Sequence, residues 1–277
     1  MDHPEPSTHA RLASERYGGV EVPRALAAND VVAVMLNHRS VRAYLADRLS
    51  EGTLETLVAA AQSAPTSSNM QAWSVVAVQD EERRARLAEL SARQDFIRKA
   101  PLFLCWIADL SRLQRVGEAI GTRFEGLDYL ESFMVALADA AFAAQNAVVA
   151  AASLGLGTVY VGSLRNRPDD VAAVLELPPN AVAVFGLCVG YADPAVPTAI
   201  KPRLPQSVVL HRETYDVGAE PAGIRHYDGA LDGFTARTGQ ARTTWTVRML
   251  NRVGRAGNLG GRDRMSEVLR ALGLGLR

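Results

Sequence analysis

"FMVALADAAFAAQNAVVAAASLGLG", residues 133–157, is the longest apolar stretch of the chain and decides most of its fold. Its alanine-rich composition predicts one long helix from about Leu127 to Leu154, ended by Gly155 and Gly157. The helix is apolar on nearly every side, so most of its surface must be covered by other groups. Either it is the central helix of the core, or a second copy of the chain covers part of it.

Composition argues against membrane and nucleic-acid partners. Asp139, Gln145 and Asn146 interrupt the apolar run, which makes it a poor membrane span. The 277 residues include 30 basic and 30 acidic side chains, so no net charge attracts nucleic acid or an acidic lipid surface. The polar residues 1–28 lack the apolar segment of a secretory signal and predict a flexible arm. We therefore expect a cytoplasmic protein that binds neither nucleic acid nor membranes.

Shorter segments alternate between helical and strand-like patterns. Asn29 or Asp30 begins a short helix, and Ser50 begins a second one that Pro65 ends. Apolar runs predict strands at residues 74–80, 102–109, 158–164 and 180–192. Two of these runs contain the only cysteines, Cys105 and Cys188, which we expect to be buried thiols.

Prolines become frequent after residue 193 and predict an extended C-terminal excursion over residues 193–277, with one or two helices. No clean linker divides the chain. The pattern predicts a single domain of mixed helices and strands over residues 29–277, preceded by the arm over residues 1–28.

The familiar catalytic arrangements are absent from the sequence. No two of the five histidines have metal-ligand spacing on one helix, and there is no paired cysteine motif, nucleophile elbow or Walker loop. "SLGLGTVY" is not a dinucleotide-binding loop, because Tyr160 stands at the third glycine position and a helix precedes it. We expect no metal and no catalytic side chain. The reactive group is then a bound organic cofactor, or the protein is not a catalyst.

"HRSVRAY", residues 38–44, concentrates anion-binding side chains at one place. It is either a cationic helix end stabilised by the helix dipole or a phosphate cradle, since arginine donates through a planar fork and serine adds a hydroxyl. If the stretch is extended, alternation sends Ser40 and Arg42 to one side and Arg39 and Val41 to the other. "KPRLP", residues 201–205, adds Lys201 and Arg203 between stiffening prolines, as a solvated turn or as part of the same anion site.

Two further stretches have the composition of a ligand surface. "SAPTSSNMQAW", residues 63–73, is either a polar loop or a set of donors and acceptors for a heteroaromatic ring. "VYVGSLRN", residues 159–166, includes Gly162, where a missing side chain lets the backbone approach a flat ligand.

Five motifs occur in an order that resembles the FMN-dependent nitroreductase superfamily. In chain order they are "HRSVRAY", "SAPTSSNMQAWSV", "GLGTVYVGSLRN", "FGLCVGY" and "KPRLP". The branch that the chain resembles most is that of the oxygen-insensitive NADPH nitroreductases and flavin reductases. The resemblance covers about residues 30–215 well. It implies an α+β, nitroreductase-like fold, with a mixed, mainly antiparallel sheet flanked by helices. It also implies a homodimer with FMN at the subunit interface.

The resemblance also implies roles for individual residues. Phosphate and ribityl contacts would come from His38, Arg39, Ser40, Arg42, Lys201 and Arg203. Contacts to the flavin ring would come from Thr66, Ser67, Ser68, Gln94, Tyr160, Val161, Gly162 and Ser163. Several relatives have glycine where this chain has Ser163. Arg237 and Arg242 resemble arginines that bind the NADPH phosphate, or they are two exposed arginines of a basic tail.

The function that follows from this resemblance is an FMN-dependent NAD(P)H oxidoreductase. It would reduce nitroaromatics, quinones or similar small acceptors in two separate steps, with NADPH or NADH as the reductant. Two alternatives stay open: a flavin reductase that supplies reduced FMN to a monooxygenase, and a redox-silent FMN-binding or storage protein.

Overall fold

The computed structural model describes residues 7–23 and 25–277. These form two compact units: the described residues up to Arg39 together with Thr198–Leu259, and Ser40–Pro197 together with Gly260–Arg277. The α-helices in chain order are α1 Thr8–Tyr17, α2 Asp30–Leu36, α3 Thr53–Gln62, α4 Glu81–Leu90, α5 Asp95–Lys99, α6 Ser111–Ala119, α7 Leu130–Ser153, α8 Pro168–Leu175, α9 Gln206–Val209, α10 Glu220–Arg237, α11 Trp245–Val253 and α12 Met265–Ala271.

The larger unit is built on one four-stranded sheet. Its strands are β1 Trp73–Val78, β2 Leu102–Asp109, β3 Gly157–Val161 and β4 Ala181–Gly190. They lie in the order β1-β2-β4-β3, and every neighbouring pair is antiparallel. A single parallel bridge joins Ser40 to Thr158 of β3. The expected mixed, mainly antiparallel sheet flanked by helices is therefore confirmed.

The sheet separates two apolar layers, and alternate residues of β2 supply both. Leu102, Leu104 and Trp106 belong to the layer that contains α3 and α7. Phe103 and Cys105 belong to the layer that contains α4 and α8. Both Cys105 and Cys188 are buried free thiols, and burial raises the pKa of each well above its usual range. Such thiols are inert at neutral pH.

Helix α7 combines a buried face with an exposed apolar face. Eight of its residues are buried, and it packs against α3 and β2. The opposite face leaves Met134 56% and Phe142 51% exposed. The helix is long and apolar enough to cross a membrane, with a hydropathy of 1.5 over its best window. Its buried face is nevertheless part of the core, as the first of the two alternatives requires. That alternative does not explain the exposed apolar face.

Glycines at the end of α7 have two different roles. Gly155 has φ +75° and ends the helix, as predicted. Gly157 is not a cap, because it is the first residue of β3. A Cβ at Gly157 would lie 2.6 Å from Cγ2 of Val41, so glycine is what lets the residue 40–44 segment lie against β3.

Several predicted boundaries differ from the structure. Asn29 caps α2 through a hydrogen bond from the Val32 N–H, as one of the two alternatives required. Ser50 does not cap α3: Gly52 stands at that position, and α3 ends at Gln62, ahead of Pro65. Residues 193–277 contain four α-helices, α9 to α12, where the sequence predicted one or two.

The smaller unit contains α1, α2, α9, α10 and α11. Residues 8–17, assigned from the sequence to a flexible arm, form the ten-residue helix α1. Leu12 and Ala13 of α1 are buried, as are Tyr227, Leu231 and Phe234 of α10. The predicted arm therefore contains a packed helix, and the rest of it includes residues 1–6 and 24, which lie outside the described residues.

Candidate functional site

The second half of the "HRSVRAY" motif is an extended segment beside β3 in the larger unit. The Val41 N–H donates to the Thr158 carbonyl at 2.9 Å. Val41 and Tyr44 are buried, and the Tyr44 hydroxyl donates to the Val41 carbonyl at 2.7 Å. Ser40 and Arg42 are exposed. The predicted alternation is correct for Ser40, Val41 and Arg42, and it turns the Ser40 and Arg42 side chains away from the core. It is wrong for Arg39, which was predicted on the side of the buried Val41 and is exposed.

The first half of the motif lies in the smaller unit, just after α2. Arg39 is exposed, and its guanidinium donates to Asn37 Oδ1 at 2.7 Å. His38 is half-buried. Its carbonyl accepts a hydrogen bond of 2.7 Å from the guanidinium of Arg16, a residue of α1.

The "KPRLP" segment also belongs to the smaller unit and is held in place by its prolines. Pro202 and Pro205 are buried, and the Tyr227 hydroxyl donates to the Pro202 carbonyl at 3.0 Å. The Lys201 ammonium lies 5.9 Å from the centre of the Phe234 ring, within the range of a cation–π contact. Arg203 is exposed, and its N–H donates to the Arg16 carbonyl at 2.8 Å.

Two cations, Arg16 and Arg203, act on His38 in this part of the smaller unit, and we call these two arginines the cation cluster. Burial lowers the pKa of His38, and the charges of Arg16 and Arg203 lower it further. Burial, followed by the charge of Arg203, lowers the pKa of Arg16 to about 10. Among the described residues, the charged groups that shift the pKa of His38 are both cations. A bound anion would relieve this repulsion.

The loop that carries Thr66, Ser67 and Ser68 is fixed to the larger unit by a buried carboxylate. Asp139 of α7 is 1% exposed and accepts hydrogen bonds from the Thr66 hydroxyl at 2.7 Å and from the N–H groups of Ser67 and Ala72 at 3.1 Å each. On the other side, Arg112 donates to the Gln71 carbonyl at 2.8 Å.

The same loop has an unusual backbone. Ser68, Asn69 and Gln71 have φ values of +49°, +54° and +48°, the left-handed region that residues with a Cβ rarely adopt. Ser67 and Ser68 are exposed. The hydrogen bonds that Asp139 accepts thus hold a strained loop on which Ser67 and Ser68 are exposed, while the Thr66 hydroxyl is turned toward Asp139.

The stretch 160–163 contains the last two residues of β3 and the first two of the helical turn that follows it, and its Tyr160 ring packs on another aromatic ring. Tyr160 is partly exposed and meets the Phe185 ring edge to face, with 5.4 Å between centroids. Burial raises the Tyr160 pKa well above its usual range, so its hydroxyl stays protonated. Gly162 and Ser163 are half-buried, and a Cβ at Gly162 would lie 3.4 Å from an Arg165 guanidinium nitrogen.

Gln94 lies at the start of α5 and is half-buried. The two residues before it, Ala92 and Arg93, have φ values of +58° and +55°. The Gln94 N–H donates to the Ala88 carbonyl at 3.2 Å, which ties this turn to α4.

Arg237 and Arg242, the predicted NADPH arginines, are both exposed in the smaller unit. Arg242 already has a partner: its Nε donates to Asp232 Oδ1 at 3.0 Å, and its Nη2 donates to Oδ2 of the same carboxylate. The hydrogen bond from Arg242 lowers the pKa of Asp232. A nucleotide phosphate at Arg242 would compete with this carboxylate.

Comparison with known proteins assigns the chain to a family. The sequence model described as "Nitroreductase family" matches residues 35–191, and that described as "Nitroreductase family, C-terminal domain" matches residues 201–277. The chain belongs to the nitroreductase family. The predicted superfamily is thereby confirmed.

Individual relatives support the same assignment. The chain is 40% identical over 230 residues to an "FMN reductase (NADPH)" of Bacillus subtilis, covering 80% of this chain and 91% of the relative. It is 40% identical over 188 residues to an "FMN reductase [NAD(P)H]" of the same organism, covering 68% of this chain and 75% of the relative. The solved structure of a nitroreductase from B. subtilis superposes with a TM-score of 0.83 at 35% identity, covering 89% of this chain and 99% of that one.

The donors of the smaller unit fit the phosphate of FMN, the compound in the printed names of two of these relatives. His38, Arg39, Lys201 and Arg203 share the smaller unit, and the cationic neighbours of His38 favour an anion there. Ser40 and Arg42 are exposed on the neighbouring stretch of chain. Arginine forks, a hydroxyl and a stiff cationic segment are the groups that bind a phosphate dianion.

Two residues that hold segments carrying the predicted site residues were not predicted from the sequence. Asp139 was noticed only as an interruption of an apolar helix, although a lone carboxylate in such a run signals a buried polar partner. Arg16 was placed in a flexible arm, and the family models begin at residue 35. The signal for α1 was Ser7, whose side chain accepts from the Ala10 N–H and caps the helix.

Metal chemistry has no structural support in the part of the chain that the structure describes. No group of three or more histidine, cysteine, aspartate or glutamate side chains there could hold a metal ion.

Proposed function

We propose that the protein is an NADPH-dependent FMN oxidoreductase of the nitroreductase type. The observation that carries the proposal is the cation cluster of Arg16 and Arg203 beside His38, in a chain that belongs to the nitroreductase family. Relatives named for FMN reduction with NADPH support the identity of cofactor and reductant.

We assign the FMN phosphate and ribityl chain to the six residues that the motifs singled out: His38, Arg39, Ser40, Arg42, Lys201 and Arg203. Their cationic and hydroxyl donors supply charge-assisted hydrogen bonds, each worth about 1.5–3 kcal/mol. The flavin ring is assigned to Thr66, Ser67, Ser68, Gln94, Tyr160, Val161, Gly162 and Ser163.

Bound FMN would supply the redox chemistry, which is the uptake of a hydride from a reduced nicotinamide and the release of electrons to a second molecule. The protein's own residues orient the reactants and exclude water. The loop held by Asp139 presents the exposed Ser67 and Ser68 in a fixed conformation, so little reorganisation accompanies binding. Backbone N–H groups along residues 160–163 would favour the reduced, anionic ring, and no side chain needs to act as a nucleophile.

A homodimer completes the proposal, and the exposed face of α7 supports it. Met134, Leu137 and Phe142 form an apolar surface on a helix whose other face is already in the core. An exposed apolar surface of this kind is typical of an interface. We also propose a cytoplasmic location, where thiols such as Cys105 and Cys188 stay reduced.

The acceptor is a small oxidised molecule, such as a nitroaromatic or a quinone. A second function, supply of reduced FMN to a monooxygenase, is favoured by the two relatives named as FMN reductases. Coupled monooxygenase activity distinguishes the two, because only a diffusible reduced flavin drives it. A redox-silent storage protein is the outcome if neither activity is found.

Steady-state kinetics tests the proposal. Because reductant and acceptor use one site in turn, double-reciprocal plots at several acceptor concentrations should be parallel. Intersecting lines would show that both substrates bind together and would contradict the proposed order. Purified protein that is colourless and takes up no added FMN would contradict the cofactor assignment itself.

A further inference from the structure

We infer that Arg16 of α1 is a positioning residue for the FMN phosphate, so that this chain's affinity for the cofactor depends on an N-terminal helix outside both family models. The inference rests on the proposed function, because it assumes that the cation cluster binds the FMN phosphate. All residues that carry it belong to the smaller unit.

The Arg16 guanidinium ties together the two segments that carry the proposed phosphate ligands. It donates to the Leu36 carbonyl at 2.9 Å and to the His38 carbonyl at 2.7 Å, on either side of the end of α2. It also donates to the Lys201 carbonyl at 2.8 Å. One planar fork thus fixes the backbone of His38 relative to that of Lys201, two residues 163 positions apart in the sequence.

A backbone hydrogen bond to Arg16 fixes Arg203, the third of the proposed phosphate ligands that Arg16 holds. The Arg203 N–H donates to the Arg16 carbonyl at 2.8 Å, so both the side chain and the backbone of Arg16 hold the 201–205 segment. Arg16 is 8% exposed. Its hydrogen bonds are therefore partly shielded from water, and their loss removes a donor from the carbonyls of Leu36 and His38. The Lys201 carbonyl keeps a second donor, the Arg203 guanidinium at 3.1 Å.

The end of α1 is docked tightly enough to transmit this constraint. Gly18 has φ +64°, and a Cβ there would lie 2.8 Å from the Ala230 Cβ and 3.4 Å from the Pro202 Cβ. The Gln206 amide donates to the Tyr17 hydroxyl at 3.2 Å. The helix is packed against the 202–206 segment and α10, not merely joined to them by one side chain.

Arg16 also contributes charge, and charge is what separates FMN from riboflavin. Its guanidinium adds to the field of Arg203 at His38. Riboflavin has the same ring and ribityl chain as FMN but no phosphate. The ligands that Arg16 positions are also assigned to the ribityl chain, so the loss of Arg16 should weaken the binding of FMN much more than that of riboflavin.

The experiment measures flavin binding to apo-protein by fluorescence quenching, with FMN and riboflavin as probes. Arg16→Met removes both the planar set of guanidinium donors and the positive charge. Arg16→Lys keeps the charge but removes the planar set of donors. Arg11→Gln is the matched control, because Arg11 is an exposed α1 residue paired only with Glu15 among the described residues. Circular dichroism establishes that each variant is folded before binding is measured.

We expect Arg16→Met to raise the Kd for FMN by about tenfold or more, with the Kd for riboflavin changed by less than about twofold. Arg16→Lys should fall between Arg16→Met and wild type, and Arg11→Gln should match wild type. An unchanged FMN affinity in both Arg16 variants, or equal losses for the two flavins, would overturn the inference alone. A wild-type protein that binds no FMN would instead overturn the proposed function, and the inference with it.

Discussion

The carboxylate of Asp139 accepts a hydrogen bond of 2.7 Å from the hydroxyl of Thr66. The Thr66 oxygen in turn accepts from the Gln71 N–H at 2.8 Å, so the buried acid holds both ends of the loop that carries Ser67 and Ser68. Two backbone N–H groups complete its set of donors. A core helix thereby determines the conformation of a proposed flavin-binding loop.

Replacing Asp139 by Asn should destabilise the protein and loosen this loop. The amide nitrogen must replace one carboxylate oxygen, so at least one of the buried N–H donors of Ser67 and Ala72 loses its acceptor. The cost is about 1–3 kcal/mol in the free energy of unfolding. Denaturant titration measures the loss, and limited proteolysis should cut within residues 66–72. Glu131→Gln, on an exposed position of the same helix, is the control; equal stability of the two variants would contradict the role of Asp139.

Replacing both Arg39 and Arg42 by Ala should release FMN and leave the fold intact. Both side chains are exposed, so their removal creates no cavity. Removing two charge-assisted hydrogen bonds to the phosphate should weaken FMN binding by about a hundredfold or more. Absorbance of the purified double variant reports the bound flavin, and its circular dichroism reports the fold. A double variant that keeps its flavin would mean that the phosphate lies elsewhere.

The stability of the apo-protein should depend on His38 below neutral pH. Burial, Arg16 and Arg203 lower the pKa of His38 below its ordinary value of 6.5, so the folded state binds a proton less readily than the unfolded one. Its contribution to stability is complete above pH 6.5 and declines as the pH falls toward the lowered pKa. His38→Gln should therefore lose less stability than wild type between pH 7 and pH 5. Parallel pH profiles of the two proteins would contradict this.

Replacing Asp232 by Asn should improve the use of NADPH if Arg242 binds its phosphate. The carboxylate now pairs with Arg242, and its removal frees the guanidinium. The KM for NADPH should fall by about twofold to fivefold, the size expected for an exposed ion pair. The KM for NADH, which lacks that phosphate, is the internal control and should not change. A fall in both values, or in neither, would mean that Arg242 does not contact the phosphate.

The sheet and its helices could be predicted because their signals are local. Residues 102–109 form β2 as predicted, since a continuous apolar run of only eight residues is typical of a strand buried on both faces. The alternation in "HRSVRAY" could be predicted for the same reason. Val41 packs inward, so its two neighbours in an extended segment point outward.

The remainder depends on contacts between distant parts of the chain. Gly157 looked like a helix cap because the close approach of Val41 leaves no trace in the local sequence. Residues 8–17 looked like an arm because α1 is stabilised by packing, and the role of Arg16 comes from carbonyls 20 to 185 residues away. The pairing of Arg242 with Asp232 could not be predicted either, because nothing in the local sequence indicates that these two side chains meet.

Reduction of the bound flavin by NADPH tests the account most directly. The purified protein, saturated with FMN and freed of oxygen, is mixed with NADPH and then separately with NADH in a stopped-flow instrument. The account predicts rapid loss of the visible flavin absorbance with NADPH, followed by its return when a nitroaromatic or a quinone is added. Flavin that stays oxidised with both nicotinamides would contradict it.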